Sequence, residues 1–217
     1  RFYSNNANDL PTPFKALQMG SVWRADRPQR GRFRQFVQCD IDILGEPTCL
    51  AEIELILATT TLLGKLNFKD FKVRINERRI LKAMASYSGF TEDQYDQVFI
   101  ILDKMDKIGW DGVKAELIES GYPEANVEKY VTMFDEMEKA EDALAYLSEK
   151  LSGVLEEDVI ENLRTIRTSV EATAASQFQL VFDPTLVRGM SYYTGTIFEI
   201  EMAEFGSSVA GGGRYDK

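Results

Sequence analysis

Apolar positions change their spacing along this chain, and the changes divide it. Between residues 16 and 45 they form two β-rich runs, Ala16 to Trp23 and Phe33 to Leu44. In the second run Val37, Cys39, Ile41 and Ile43 alternate with Phe36, Gln38, Asp40 and Asp42. A period of two implies a strand. The connection from Ala25 to Arg32 holds Pro28 and Gly31 and is too long for a tight turn. The two runs therefore predict a hairpin with an extended loop. Polar residues on one strand face ordinarily meet solvent, which is the plain expectation for Gln38, Asp40 and Asp42. Residues 48–66 read as a largely apolar helix, and Phe71 to Ile75 as a short strand.

From Glu77 to about Ser176 the spacing becomes helical. Apolar residues recur three and four apart, as in Val98, Ile101, Leu102 and Met105. Turn signals at Gly89, Gly109, Gly121-Tyr122-Pro123 and Gly153 cut this stretch into several helices. Thr91-Glu92-Asp93 ahead of an apolar run marks one helix start. Strands return at Phe178 to Phe182, Thr196 to Met202 and Phe205 to Val209, followed by a predicted turn at Gly211-Gly212-Gly213. The pattern is thus a β-rich domain interrupted by a mostly helical insertion. Three segments follow: 1–80, 81–175 and 176–217.

Charge sharpens that division. Residues 81–175 carry 9 basic and 21 acidic side chains, a balance of −12 within a total of −10. The flanking segments are close to neutral. Such asymmetry suggests units of different character. The chain is long enough to bury a sizeable core, and no uncharged run reaches the roughly 18–20 residues of a membrane span. It contains two cysteines, Cys39 and Cys49, and no histidine. A disulfide framework, a zinc site of usual ligands and a Ser-His-Asp or Cys-His centre are all disfavoured. Chemistry must run on Arg, Lys, Asp, Glu, Tyr or a bound metal.

Three stretches could carry it. Arg24 to Arg34 holds five arginines and one aspartate, Asp26. The planar guanidinium suits phosphate and carboxylate, although a solvated hairpin tip would have the same composition. Gln38, Asp40 and Asp42 stand on one strand face beside that loop. The third stretch, Leu186 to Gly195, sets Arg188 and the pair Tyr192-Tyr193 between glycines, with Gly213-Arg214-Tyr215-Asp216 further on. It could equally be a turn with packed aromatics. Residue chemistry alone leaves these readings open.

Motif order narrows them. Val22-Trp23-Arg24-Ala25-Asp26-Arg27-Pro28-Gln29-Arg30-Gly31-Arg32-Phe33-Arg34-Gln35-Phe36 resembles motif 2 of the histidyl-tRNA synthetases. Leu186-Val187-Arg188-Gly189-Met190-Ser191-Tyr192-Tyr193-Thr194-Gly195 resembles their first histidine signature, and Gly212-Gly213-Arg214-Tyr215-Asp216 the second. The resemblance implies an α+β fold: the class II antiparallel sheet flanked by helices and interrupted by a mostly helical insertion. It implies histidine–tRNA ligase activity, with ATP and Mg²⁺, histidine and tRNA(His) as substrates and partners. A cytoplasmic homodimer without membrane association is the matching expectation.

The resemblance also implies roles. Arg24 would bridge the substrate carboxylate and the ATP α-phosphate, and Arg188 would sit by that phosphate. Asp26, where relatives commonly carry glutamate, and Arg32 would serve the nucleotide site, with Phe36 stacking on adenine. Gln38 would take the histidine amino group. Asp42 and Tyr193 would read the imidazole, with Tyr192 and Tyr215 lining its pocket. Motif 1, an upstream substrate loop, motif 3 and the anticodon-binding domain are expected outside this chain, so that the fragment alone is impaired. Two rival functions share the fold. One is a non-catalytic paralogue such as the regulatory subunit of ATP phosphoribosyltransferase; the other is a synthetase-like sensor of uncharged tRNA.

Overall fold

A computed structural model describes residues 1–28, 32–188, 192–205 and 207–216. Gln29, Arg30 and Gly31 of the arginine loop, Gly189, Met190 and Ser191 of the first signature, Gly206 and Lys217 lie outside the described residues. The chain forms two compact units, Arg1–Ile56 and Leu57–Lys217.

The first unit contains α1 (Phe2–Asn6), the antiparallel strands β1 (Phe14–Trp23) and β2 (Gln35–Leu44), and the start of α2 (Leu50–Lys65). The predicted hairpin and helix are therefore present. The strands pair from Phe14 opposite Leu44 to Trp23 opposite Gln35. Arg24 N–H donates to the Arg34 carbonyl at 2.8 Å and carries the ladder into the loop. Lys15 donates to Glu54 at 2.6 Å, tying β1 to α2.

The expected exposure of the polar face is reversed. Gln38, Asp40 and Asp42 are half-buried, whereas Leu17, Met19 and Val37 are 67%, 71% and 71% exposed. Opposed residues of an antiparallel pair share a face. The pairs Leu17 with Ile41, Met19 with Cys39 and Ser21 with Val37 thus form one mainly apolar outward face. Hydrogen bonds along the opposite face explain how its polar residues tolerate burial.

The second unit takes the rest of α2 and then β3 (Phe71–Glu77), followed by six helices: α3 (Arg78–Tyr87), α4 (Tyr95–Leu102), α5 (Met105–Glu119), α6 (Glu124–Lys139), α7 (Ala143–Lys150) and α8 (Glu157–Thr173). Strands β4 (Phe178–Phe182), β5 (Thr196–Met202) and β6 (Ser207–Gly213) complete it. The sheet order is β4-β3-β5-β6. Only β3 and β4 run parallel; the other two pairings are antiparallel. A parallel pair requires a long crossover, which the helical stretch supplies. Phe71 and Phe178, Cα partners across that pair, stack with centroids 5.6 Å apart.

The glycines end helices as their spacing predicts. Gly89, Gly121 and Gly153 adopt φ of +94°, +89° and +85°, which costs an L side chain but not glycine. Gly109, at φ 66°, kinks α5 instead of ending it. Thr91 forms a capping box with Gln94 ahead of α4. The helical face of Val98, Ile101 and Leu102 is fully buried and joins Ile80, Leu81, Met84, Leu117 and Val127 in the core.

Two readings of the chain need correction. The last strand covers Ser207–Gly213, so the triple glycine is strand and not a turn. It stays bare because its neighbours come close: a Cβ on Gly213 would lie 2.7 Å from the Thr196 carbonyl and 2.8 Å from Tyr193 Cδ1. The strand at 71 also runs two residues further than predicted, to Glu77. Within 81–175, basic residues are dispersed among acids: Lys104–Glu116, Lys114–Glu128, Lys139–Asp135, Lys150–Glu136, Arg164–Asp142 and Arg167–Glu171 all pair. Exposed pairs of this kind contribute little stability each. No helix among the described residues is long and apolar enough to cross a membrane.

Candidate functional site

The motif 2 residues cluster at the loop end of the first unit's strand pair. The Arg24 guanidinium lies 4.7 Å from the Phe36 ring centroid, a cation–π approach. Its Nη2 donates to Gln38 Oε1 at 3.5 Å, and Gln38 Nε2 donates to Asp40 Oδ1 at 2.5 Å. Period-two alternation places Phe36, Gln38, Asp40 and Asp42 on one face, so Arg24 has an aromatic platform and Gln38 a fixed orientation. Asp42 sits further along, opposite Ala16. Asp26 faces Arg32 at 3.3 Å across the loop, and its carbonyl accepts from Arg34 Nε at 3.2 Å. The structure therefore brings Arg24, Phe36 and Gln38 together, and separately Asp26 with Arg32. Asp40, to which the resemblance assigned no role, is the residue that fixes the Gln38 amide.

The signature residues cluster in the second unit. Arg188 has φ 56°, a left-handed conformation that non-glycine residues seldom adopt and that is concentrated at functional positions. Its Nη1 donates to Glu199 Oε2 at 2.7 Å. Burial would lower the Arg188 pKa, but Glu199 and the Tyr193 hydroxyl outweigh it and hold the guanidinium charged. The Tyr192 and Tyr193 rings lie 4.5 Å apart with hydroxyls 3.3 Å apart, and Tyr215 meets Tyr192 edge-on at 6.4 Å. Thr194 Oγ1 donates to Asp216 Oδ2 at 3.2 Å and accepts from Asp216 N–H at 2.9 Å, which closes the two signature segments on each other. Arg188, Tyr192, Tyr193 and Tyr215 thus form one constellation: a fixed cation beside three tyrosines.

Beneath it lies a group that the sequence reading missed. Arg74 on β3 donates to Asp183 at 2.5 Å and Glu201 at 2.7 Å, with Asp106 at 3.3 Å and Glu199 at 4.0 Å. Burial works to lower its pKa, yet Asp183 and Glu201 raise it. One available signal was an arginine inside the apolar run Val73 to Ile75. The alternating acids Glu199 and Glu201 were another. Where these acids converge, a guanidinium occupies the centre, and no group of three His, Cys, Asp or Glu side chains among the described residues is placed to hold a metal ion.

Known structures define the class first. Over its whole length the chain matches 51% of the crystal structure of histidyl-tRNA synthetase from Nostoc sp. PCC 7120, with TM-score 0.82 and 29% identity. An ATP phosphoribosyltransferase regulatory subunit/histidyl-tRNA synthetase from Bacillus halodurans C matches 99% of it at TM-score 0.80, but at 21% identity this is a likeness of fold. The mixed sheet with flanking helices is thus the synthetase-type catalytic fold. The family profile for histidyl-tRNA synthetase matches residues 1–217, and the chain belongs to that family. A histidine–tRNA ligase of Leifsonia xyli subsp. xyli (strain CTCB07) is 45% identical across all of this chain and 51% of its own length. The chain spans about half the length of the curated relatives it matches.

Proposed function

We propose that the protein carrying this chain is a class II histidine–tRNA ligase, which activates histidine with ATP and transfers it to tRNA(His). The observation that carries this reading is Arg188, a half-buried cation held at φ 56° beside Tyr193. In activation, a histidine carboxylate oxygen attacks the α-phosphorus, the Pα–O–Pβ bond breaks, and pyrophosphate leaves. Two anions must meet and charge builds on the phosphoryl oxygens, so fixed cations supply both positioning and electrostatic stabilisation. Arg24 and Arg188 fill those roles without a protein nucleophile.

Phe36 offers the adenine platform, with Asp26 and Arg32 in the loop on the nucleotide side. Gln38 takes the substrate amine. Asp42 and Tyr193 pair with the imidazole, and Tyr192 and Tyr215 close its pocket. A carboxylate that hydrogen-bonds imidazole penalises aliphatic and phenyl side chains, which would leave it unpaired. Mg²⁺ accompanying ATP would supply positive charge against the pyrophosphate. In the second step a terminal ribose hydroxyl of tRNA attacks the adenylate carbonyl. The division into catalytic segments 1–80 and 176–217 around an acidic insertion at 81–175, the homodimer and the cytoplasmic setting belong to the same proposal.

The test is histidine-dependent ATP–pyrophosphate exchange, measured on the chain and on a version spanning the length of its relatives. Exchange in the longer version should fall by about a hundredfold or more with Arg188→Ala. A folded longer version that gives no exchange would transfer the assignment to the non-catalytic regulatory paralogue.

A further inference from the structure

We propose that Glu199 is the positioning residue for Arg188, acting within a cross-strand row that fixes where the guanidinium lies. Strand pairing sets Arg74 opposite Glu199 and Glu199 opposite Gly211, so three adjacent strands present one row on one sheet face. Arg188 rests on that row. Its Nη1 bonds to Glu199 Oε2 at 2.7 Å, while a Cβ on Gly211 would meet the same Nη1 at 2.7 Å and Cζ at 2.9 Å. The bare glycine therefore leaves room for the guanidinium where it lies, and the carboxylate holds its edge.

Arg74 explains why Glu199 is available. Its closest partners are Asp183 and Glu201, at 2.5 and 2.7 Å, and Glu199 stands at 4.0 Å. Glu199 is thus drawn towards Arg74 but bonded to Arg188. Both members of the Arg188–Glu199 pair are largely buried, with side chains 22% and 18% exposed. A charge-assisted bond in such surroundings is short and directional. It engages Nη1, and a guanidinium carries five N–H donors, so the remaining ones can serve a phosphate.

The inference rests on the proposed ligase reading, and its test separates the two. The first measurement is pyrophosphate exchange by the full-length protein with Glu199→Ala, Glu199→Gln and Gly211→Ala. A reacting group displaced by about an ångström loses on the order of a hundredfold in rate. Glu199→Ala and Gly211→Ala should each lower kcat by about ten- to a hundredfold, with KM for histidine nearly unchanged. Glu199→Gln retains an acceptor and should recover most of kcat. Gly211→Ala removes no charge, but its Cβ would also come 3.0 Å from the Phe198 carbonyl; equal losses in it and Glu199→Ala, with the Gly211→Ala melting temperature kept, would point to placement of the guanidinium. Unchanged kcat in both alanine variants would overturn the inference, as would a glutamine variant no better than alanine.

The second measurement needs no activity. The Arg188 side-chain Nε–H resonance, identified by its loss in Arg188→Lys, should be sharp and slow to exchange with water in the parent, and averaged in Glu199→Ala. If that resonance is unaffected, the positioning role fails whatever the kinetics. If the parent shows no exchange activity but the resonance responds, the ligase reading fails and the positioning role stands.

Discussion

Strands β2 and β5 both alternate acidic with apolar residues, and they treat the alternation in opposite ways. In β5 the apolar Ile197, Ile200 and Met202 are buried while Glu199 and Glu201 are half-buried, each engaged by an arginine. In β2 the polar Gln38, Asp40 and Asp42 are half-buried and Val37 is 71% exposed. The second unit therefore combines two sources of order, a dry helical and sheet core and a paired set of charges. The first unit has few fully buried residues, Glu52 and Ile56 among those described, and its strand pair is organised chiefly by polar contacts along one face. An isolated strand pair is only marginally stable, so folding free energy should reside mainly in the second unit.

Matched substitutions put this contrast under the greatest strain. Leu117→Ala empties a position with no solvent exposure and should cost about 2–5 kcal/mol in chemical denaturation. Val37→Ser, on the outward face of β2, should change stability by no more than about 0.5 kcal/mol. A comparable loss from both would show that the outward face of the strand pair is covered in solution, and the contrast between the units would collapse.

The same contrast explains what could be read from the chain. Helix α4 was legible because Val98, Ile101 and Leu102 repeat at helical spacing and meet one core, and because Thr91 caps the approach to it. The glycines at 89, 121 and 153 were legible because left-handed backbone at a helix end is a local demand. The strand character of Gly211 to Gly213 was not. Those glycines answer to Arg188, Tyr193 and the Thr196 carbonyl, which are distant in sequence. The reversed faces of β2 escaped for the same reason, since alternation defines two faces without saying which is covered. Arg24, Phe36 and Gln38 could be singled out by motif, and they do meet. Glu199 and Arg74 could not, because their significance lies in strand register.

Within the second unit two buried polar atoms among the described residues, Arg78 Nε and the Tyr130 hydroxyl, lack a hydrogen-bond partner, and the hydroxyl gives the next test in size. Tyr130 is completely buried between Phe90 and Phe134, with ring centroids 5.6 and 5.1 Å away. Its hydroxyl has no hydrogen-bond partner among the described residues, and burial pushes its pKa upward. An unsatisfied buried hydroxyl costs about 1–3 kcal/mol, partly offset by the packing it fills. Tyr130→Phe should raise stability by about 1 kcal/mol, seen as a Tm increase of a few degrees. A decrease would mean that the hydroxyl finds a partner in solution and that the core is better satisfied than its geometry indicates.

The smallest expected effect comes from Glu77, where a buried acid joins sheet to helix. Its carboxylate accepts from Arg79 N–H at 3.2 Å at the start of α3 and from Thr196 Oγ1 at 3.1 Å on β5. Burial raises its pKa above the ordinary 4.5, and Arg79 opposes this without cancelling it. Between 4.5 and the raised value, the folded chain holds a proton that the unfolded chain has released. Glu77 then contributes most stability at the acid end of that window, and its contribution declines as pH rises through it. Carboxylates held below their ordinary range would give the opposite slope, so the informative quantity is the difference between parent and variant. Glu77→Gln removes the titration while retaining an acceptor. Thermal melts across mildly acidic pH should show the parent gaining on the variant as pH falls. A difference that is flat with pH, or that grows as pH rises, would mean that Arg79 outweighs burial and that the acid is held below its ordinary pKa in the folded chain.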